Sequence, residues 1–285
     1  MSNINVYLNY FKLRVICELQ YRVSALAGMA TQIFFGFVFI MVYIAFYDGN
    51  ASINVPLLPI ISFIAGSSVD VTLEQMVTYL WLFQAFFALV IVRQNDNELL
   101  DMIRSGNIAY ELCKPLNLYC LWFCKILSRK VISTLLRFWP VMIVAFLLPE
   151  PFKLSLPVSF TAFILFIISL ILGMIISVII IFFIHILTFY TLKDKGASSL
   201  VIAVSELFAG GYVPIMLMPS GIQIIAYLLP FRYIGDLPFR IYNGTIGIGT
   251  SLINMGVQIF WIVILIFISY KLTNRALKRV VVQGG

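Results

Sequence analysis

Charge is what this chain of 285 residues has least of: Asp, Glu, Lys and Arg together make up 11% of it, and it holds one histidine. A soluble domain carries about 25% charged residues. Hydrophobic residues account for 62%. A soluble fold of this length could not turn that much apolar surface away from water. An integral membrane protein is the class that remains, and the abundant Phe and Tyr suit lipid-facing helices and interfacial belts.

The parts of a catalyst are missing as well. There is no G-x-x-x-x-G-K-[ST] phosphate loop and no Gly-Lys pair. Gly244, Gly247 and Gly249 follow no strand, which excludes a dinucleotide site there. His185 has no nearby residue for a catalytic pair or metal site and reads as a packed or interface-facing side chain. No cofactor and no catalytic residue is therefore expected in this chain. Cys17, Cys113, Cys120 and Cys124 fall in segments assigned below to the cytoplasmic side or its interface, where thiols stay reduced. Cys120 and Cys124 share a helix face, but without a third ligand nearby they read as packing rather than metal binding. The net charge of +7 does not point to nucleic acid, because Lys and Arg in a membrane protein mark the cytoplasmic side.

What is present is a series of long apolar runs. Ile4, Leu8, Phe11, Val15 and Leu19 recur at three- and four-residue steps, which predicts a helix over residues 4–21 lying in the membrane interface. The following run is too long for a signal peptide and lacks a cleavage site. Six spans are predicted, at about 23–46, 72–92, 131–148, 158–191, 197–218 and 251–270. With both termini inside, Lys12, Arg14, Arg22, Arg93, Arg104, Lys114, Lys125, Arg129, Lys130, Lys193, Lys195, Lys271, Arg275, Lys278 and Arg279 all fall on the cytoplasmic side. Only Lys153, Arg232 and Arg240 fall outside, so the positive-inside bias selects this orientation. No tandem or inverted repeat is visible, and the loops are unequal, which argues against a transporter built from inverted repeats.

Glu206 and Arg137 are charged residues lying deep inside spans. Glu206 lies about nine residues into the fifth, or ~14 Å at the helical rise. It reads either as part of a substrate path or inter-helix pair, or as a protonated acid that only packs. Arg137 lies roughly 10 Å past Lys130. Snorkelling toward the inner surface is favoured for it over direct substrate contact. Between the fifth and sixth spans, Pro219 to Thr250 holds two apolar pieces too short to span, divided by Pro230 and Pro238, and these predict short re-entrant helices. Arg232, Asp236 and Arg240 are spaced by four and would pair on a helix, as exposed pairs worth only about 0.2–0.5 kcal/mol each.

Between the second and third spans the charges gather. Arg93 to Tyr119 carries Asp96, Glu98, Asp101, Arg104, Glu111 and Lys114. Asn95 and Glu98 have capping-box spacing, Leu99, Leu100, Met102 and Ile103 supply apolar contacts, and Ser105-Gly106 stops the helix. A short amphipathic helix with one charged side is predicted. It is open to a partner protein, or else only a solvated inner loop.

The runs MIRSGNIAYELCKPLNLYCLWF, LLPFRYIGDLPFRIYNG and RALKRVVVQGG, with QYRVSALAGMATQIFFGF near the start, resemble the permease subunits of ABC-2-type ATP-binding cassette transporters, in a bacterial branch of uncharacterised permeases. The resemblance covers nearly the whole chain. It implies an all-α membrane domain with an interfacial helix, a cytoplasmic coupling helix at about Asp96 to Ser105 that docks on a separate ATPase, and re-entrant helices at about Gly221 to Ile241. Asp96, Glu98, Leu99, Asp101, Met102, Arg104 and Ser105 are then the coupling residues. It further implies a homodimer or heterodimer of permeases in the bacterial inner membrane, contacts with lipids, ATP and Mg bound by the partner ATPase, and export. A stand-alone secondary transporter or channel, with Glu206 as a proton or ion site, is the alternative, and a membrane-embedded enzyme or scaffold protein the third reading.

Overall fold

The computed structural model describes residues 3–20, 22–47, 52–55, 69–92, 102, 113, 116–191 and 194–278. Ten helices, two short strands and two 3-10 turns are formed by these residues. In chain order they are α1 (Asn3–Leu19), α2 (Arg22–Tyr47), β1 (Ser52–Val55), β2 (Val69–Thr72), α3 (Leu73–Ala85), α4 (Phe87–Val90), α5 (Leu118–Leu147), α6 (Phe160–Thr191), α7 (Asp194–Phe208), α8 (Ser220–Leu228), α9 (Asp236–Tyr242) and α10 (Ile248–Leu277). The 3-10 turns, Ile215–Leu217 and Pro230–Tyr233, flank α8.

Among the described residues, four helices are long and apolar enough to cross a membrane: Ala27–Tyr47 within α2, Leu118–Leu147, Phe160–Leu187 within α6, and Ile248–Leu277. α6 is the hub. Ile176, Val178, Ile179, Ile181 and Phe182 are all buried, because α5, α7, α9 and α10 surround it. Around the bundle the outer faces of α2 and α10 expose Phe34, Met41, Val42, Phe260, Val263 and Phe267, which suits contact with lipid rather than water.

The remaining two expected spans are not single helices. α3 and α4 are separated at Phe86, whose backbone leaves the helical region. Thr72 and Gln75 begin α3 with a reciprocal capping box, a T-x-x-Q spacing plain in the sequence. The fifth segment, expected as one span over 197–218, stops at Phe208: α7 ends there, and Gly210 takes a positive φ of 83°. A left-handed residue cannot continue a right-handed helix.

The loop expected between Tyr47 and Val71 holds an antiparallel pair, with Ser52 opposite Thr72 and Val55 opposite Val69. β1 and β2 are two four-residue strands, too short to stand out from a loop in composition. The Tyr47 hydroxyl donates to the Val71 carbonyl at 3.0 Å and ties the pair to α2.

α1 packs along α5. Its partly buried positions are Val6, Tyr7, Tyr10, Phe11, Arg14, Val15 and Glu18, with Arg129 donating to Glu18 at 2.8 Å. Phe11 and Val15 of the predicted apolar stripe lie on this side, whereas Leu8 and Leu19 are exposed, as are Leu13 and Ile16. Periodicity found only part of the inward side because Arg14 and Glu18 on it are charged.

Residues 220–242 fold as α8, a 3-10 turn and α9, seated against α6. The close approach depends on Gly173, where a Cβ would stand 2.8 Å from the carbonyl oxygens of both Tyr233 and Ile234. Gln258 of α10 locks the same junction, donating to the carbonyls of Ser169 and Tyr233 at 2.9 Å each while accepting from the Ser169 hydroxyl.

Candidate functional site

The charged island lies in sequence between α4 and α5. Asp96, Glu98, Leu99, Asp101, Arg104 and Ser105 lie outside the described residues. Met102 lies within them, partly buried against the hydrophobic core. The residues that lead into the island, up to Val92, and its last four, 116–119, are described, and both stretches are tied to α5.

At the exit, α4 gives way to extended backbone at Ile91, and helix ends leave carbonyls without intrahelical donors. Lys130 of α5 is fully buried and its Nζ donates to the Ile91 carbonyl. At the return, the Asn117 side chain accepts from the Cys120 N–H at 3.3 Å and caps α5, while its own N–H donates to the Tyr7 hydroxyl of α1 at 2.9 Å. Lys130→Met is expected to raise trypsin cleavage between Arg93 and Lys114 by on the order of fivefold, the equivalent of about 1 kcal/mol of local stability. Quantifying fragments after timed digestion of the solubilised protein checks this. An unchanged cleavage rate would mean that Lys130 does not hold the exit.

A second feature lies within the bundle. α2, α3, α4, α5 and the turn after α7 surround a cavity of about 310 Å³. α2 contributes Gly28, Thr31, Gln32, Phe35 and Phe39, spaced along one face. Phe83, Gln84 and Phe87 come from α3 and α4, Arg137 from α5, and Gly211 and Tyr212 from beyond α7. The Arg137 guanidinium lies against Gly28, where a Cβ would stand 2.9 Å from Cζ. Arg137 is half-buried and lines this cavity.

Glu206 is 5% exposed near the end of α7, and its Oε2 accepts from the Tyr212 hydroxyl at 2.7 Å. The fold thus brings Glu206 and Arg137 to one region, with Tyr212 between the acid and the cavity. Thr31, Gln32, Gln84 and Tyr212 went unnoticed in the sequence. Amides inside apolar spans were the available signal, since polar groups there are costly and face protein or a cavity.

A third feature corrects the expectation of exposed ion pairs in residues 219–250. Arg232, Asp236 and Arg240 are at most 1% exposed. Asp236 Oδ2 lies 3.8 Å from Arg232 Nε and 4.0 Å from Arg240 Nη1. Arg240 donates to the Tyr227 hydroxyl at 2.7 Å, and the Tyr79 hydroxyl donates to Asp236 at 3.5 Å. Arg232 stacks over the Tyr227 ring at 4.0 Å. Burial turns a weak surface pairing into a charge cluster that joins α3, α8 and α9. His185, also buried, bonds through Nδ1 to the Ile181 carbonyl of its own helix at 2.8 Å.

A family model described as ABC-2 family transporter protein matches residues 57–284. No curated protein and no solved structure matches the chain. The family match runs from the loop after α2 to the penultimate residue, and so takes in the island, the cavity's α3, α4 and α5 walls and the buried charge cluster alike. On that extent of agreement, the chain belongs to the ABC-2 family of transporter proteins.

Proposed function

We propose that this chain is the permease subunit of an ABC exporter, driven by a separate ATPase subunit that docks on the island 93–119. ATP and Mg are bound by that partner, since this chain has no phosphate loop. α2, α3 with α4, α5, α6, α7 and α10 supply six passes through a bacterial inner membrane, with both termini and the island on the cytoplasmic side where the basic residues gather. Two permeases, identical or related, and two ATPases form the transporter. The short helices α8 and α9 re-enter the membrane, and the cavity beside Arg137 lies on the substrate path.

The strongest support is the anchoring of the island at both ends to α5, by Lys130 at Ile91 and by Asn117 at its own cap. A push on the island is delivered to α4 and α5 together, rather than lost in a loose loop.

The test uses the tagged full chain expressed in its host membranes. Wild type is expected to co-purify an ATPase bearing a phosphate loop and to support ATP hydrolysis. Replacing Asp96, Glu98, Asp101 and Arg104 together with alanine is expected to abolish both while leaving the permease monodisperse. Unchanged association and hydrolysis in that variant would overturn the coupling role. Transport that persists without ATP and collapses with a proton uncoupler would instead identify a secondary transporter.

A further inference from the structure

We propose that the cavity beside Arg137 binds an anionic amphiphile, its head group on the guanidinium and its apolar body among the phenyl rings. The inference rests on the reading of this cavity as part of the substrate path, and names the class of molecule that takes it.

Arg137 carries the charge argument. Its Nε is buried without a hydrogen-bond partner, and among the described residues no acid forms an ion pair with it. A half-buried guanidinium inside a helix bundle is costly unless an anion or water meets it. Gln32, only 2% exposed, has both amide atoms without partners in the same wall, which adds a donor and an acceptor for a polar head group. Glu206 is not among the lining residues: its carboxylate accepts from the Tyr212 hydroxyl and forms no ion pair with Arg137.

The apolar half follows from the other lining residues. Phe35, Phe39, Phe83 and Phe87 line the same space, and on α2 the polar Thr31 and Gln32 precede the two phenyls by one turn or two. Head and tail therefore have separate places along one wall. At about 310 Å³ the space is at the small end of the range of ligand pockets, roughly 300–1,000 Å³. Thr31, Phe35 and Tyr212 are exposed, so the mouth opens on the side of the bundle, where the surrounding medium is the bilayer. A sideways mouth admits molecules already dissolved in the membrane. A cation is disfavoured by Arg137, and a fully apolar molecule would leave the guanidinium and the Gln32 amide without partners.

The experiment uses the purified full chain in zwitterionic nanodiscs and a twelve-carbon alkyl phosphate bearing a photoreactive diazirine in its tail. Labelling is expected in peptides containing Phe35 or Phe83. Unlabelled dodecyl phosphate is expected to compete at least about tenfold better than dodecyltrimethylammonium or dodecyl maltoside, as for one charge-assisted contact. Arg137→Gln is expected to cut labelling by about tenfold and Arg137→Lys by less, since a lysine keeps the charge but not the fork. Gly28→Leu, which fills the space at the guanidinium without removing it, is expected to block labelling and guards against a misfolded Arg137 variant. Nanodiscs containing phosphatidylglycerol separate the two sources of such a ligand: competition by the lipid assigns the site to a membrane lipid, and its absence to a free amphiphile. Equal competition by the cationic detergent, or labelling unchanged in both Arg137→Gln and Gly28→Leu, overturns the proposal. Such a failure with ATPase co-purification intact would remove the ligand class and leave the permease reading standing.

Discussion

Asp236→Ala is expected to destabilise the protein by about 3–5 kcal/mol, the usual cost of leaving a buried charge without its partner. The reason is the arithmetic of the cluster. Among the described residues, two guanidiniums and one carboxylate are enclosed together, so both cations share Asp236. Arg240 has the Tyr227 hydroxyl as well as Asp236. Arg232 has less: none of its three nitrogens finds a hydrogen-bond acceptor among the described residues, and its charge is met by Asp236 at 3.8 Å and by the faces of Tyr227 and Tyr233. A cation over a desolvated ring gains on the order of 2 kcal/mol, too little to hold a buried charge alone. Asp236→Ala removes the anion that the described residues place in this cluster and also the acceptor of the Tyr79 hydroxyl. A fall of about 10 °C in the unfolding midpoint of the detergent-solubilised protein is the expected readout. Combining Asp236→Leu with Arg232→Met should recover part of the loss, because one ion pair is replaced by apolar groups while Arg240 keeps the Tyr227 hydroxyl. A midpoint within 2 °C of wild type for Asp236→Ala, roughly the shift of under 1 kcal/mol, would contradict the assigned role.

Gly210→Ala is expected to cost about 2–4 kcal/mol, from two separable sources. The backbone there sits at φ 83°, which a residue with a side chain adopts only with strain. The new methyl would also collide with the Tyr79 hydroxyl, which reaches Asp236. Tyr79 cannot withdraw freely, since its ring packs edge-on against Phe239 at 5.8 Å. Tyr79→Phe removes the colliding atom, so the double variant Gly210→Ala with Tyr79→Phe is expected to lose less than the sum of the two single changes. Thermal unfolding of the four proteins in one detergent measures the coupling. Strict additivity would show that the collision contributes nothing and that strain alone makes this glycine necessary.

The sites differ in how much of them could be read from residues in a row. Arg232, Asp236 and Arg240 announce themselves by spacing, but their burial does not follow from it. Pro230 and Pro238 break the segment, and nothing local says that α6, through Gly173, presses against the resulting turn. Arg137 is visible as a charge inside a span. Its position beside Gly28 requires α2 and α5 to be brought together, over more than a hundred residues of intervening chain. Lys130 reads as one more inner-surface cation, and only the end of α4 shows why it is fully buried.

By itself the sequence determined the class of protein, the long apolar helices, the absence of a phosphate loop and the gathering of charge between α4 and α5. These follow from composition and local periodicity, because in a membrane each helix must satisfy its own backbone hydrogen bonds and show an apolar surface. The tertiary structure alone decided where α7 breaks, which charges are buried together and which polar side chains share a cavity. Those outcomes depend on contacts between helices far apart in the chain, where one glycine or one tyrosine hydroxyl sets how closely two backbones approach.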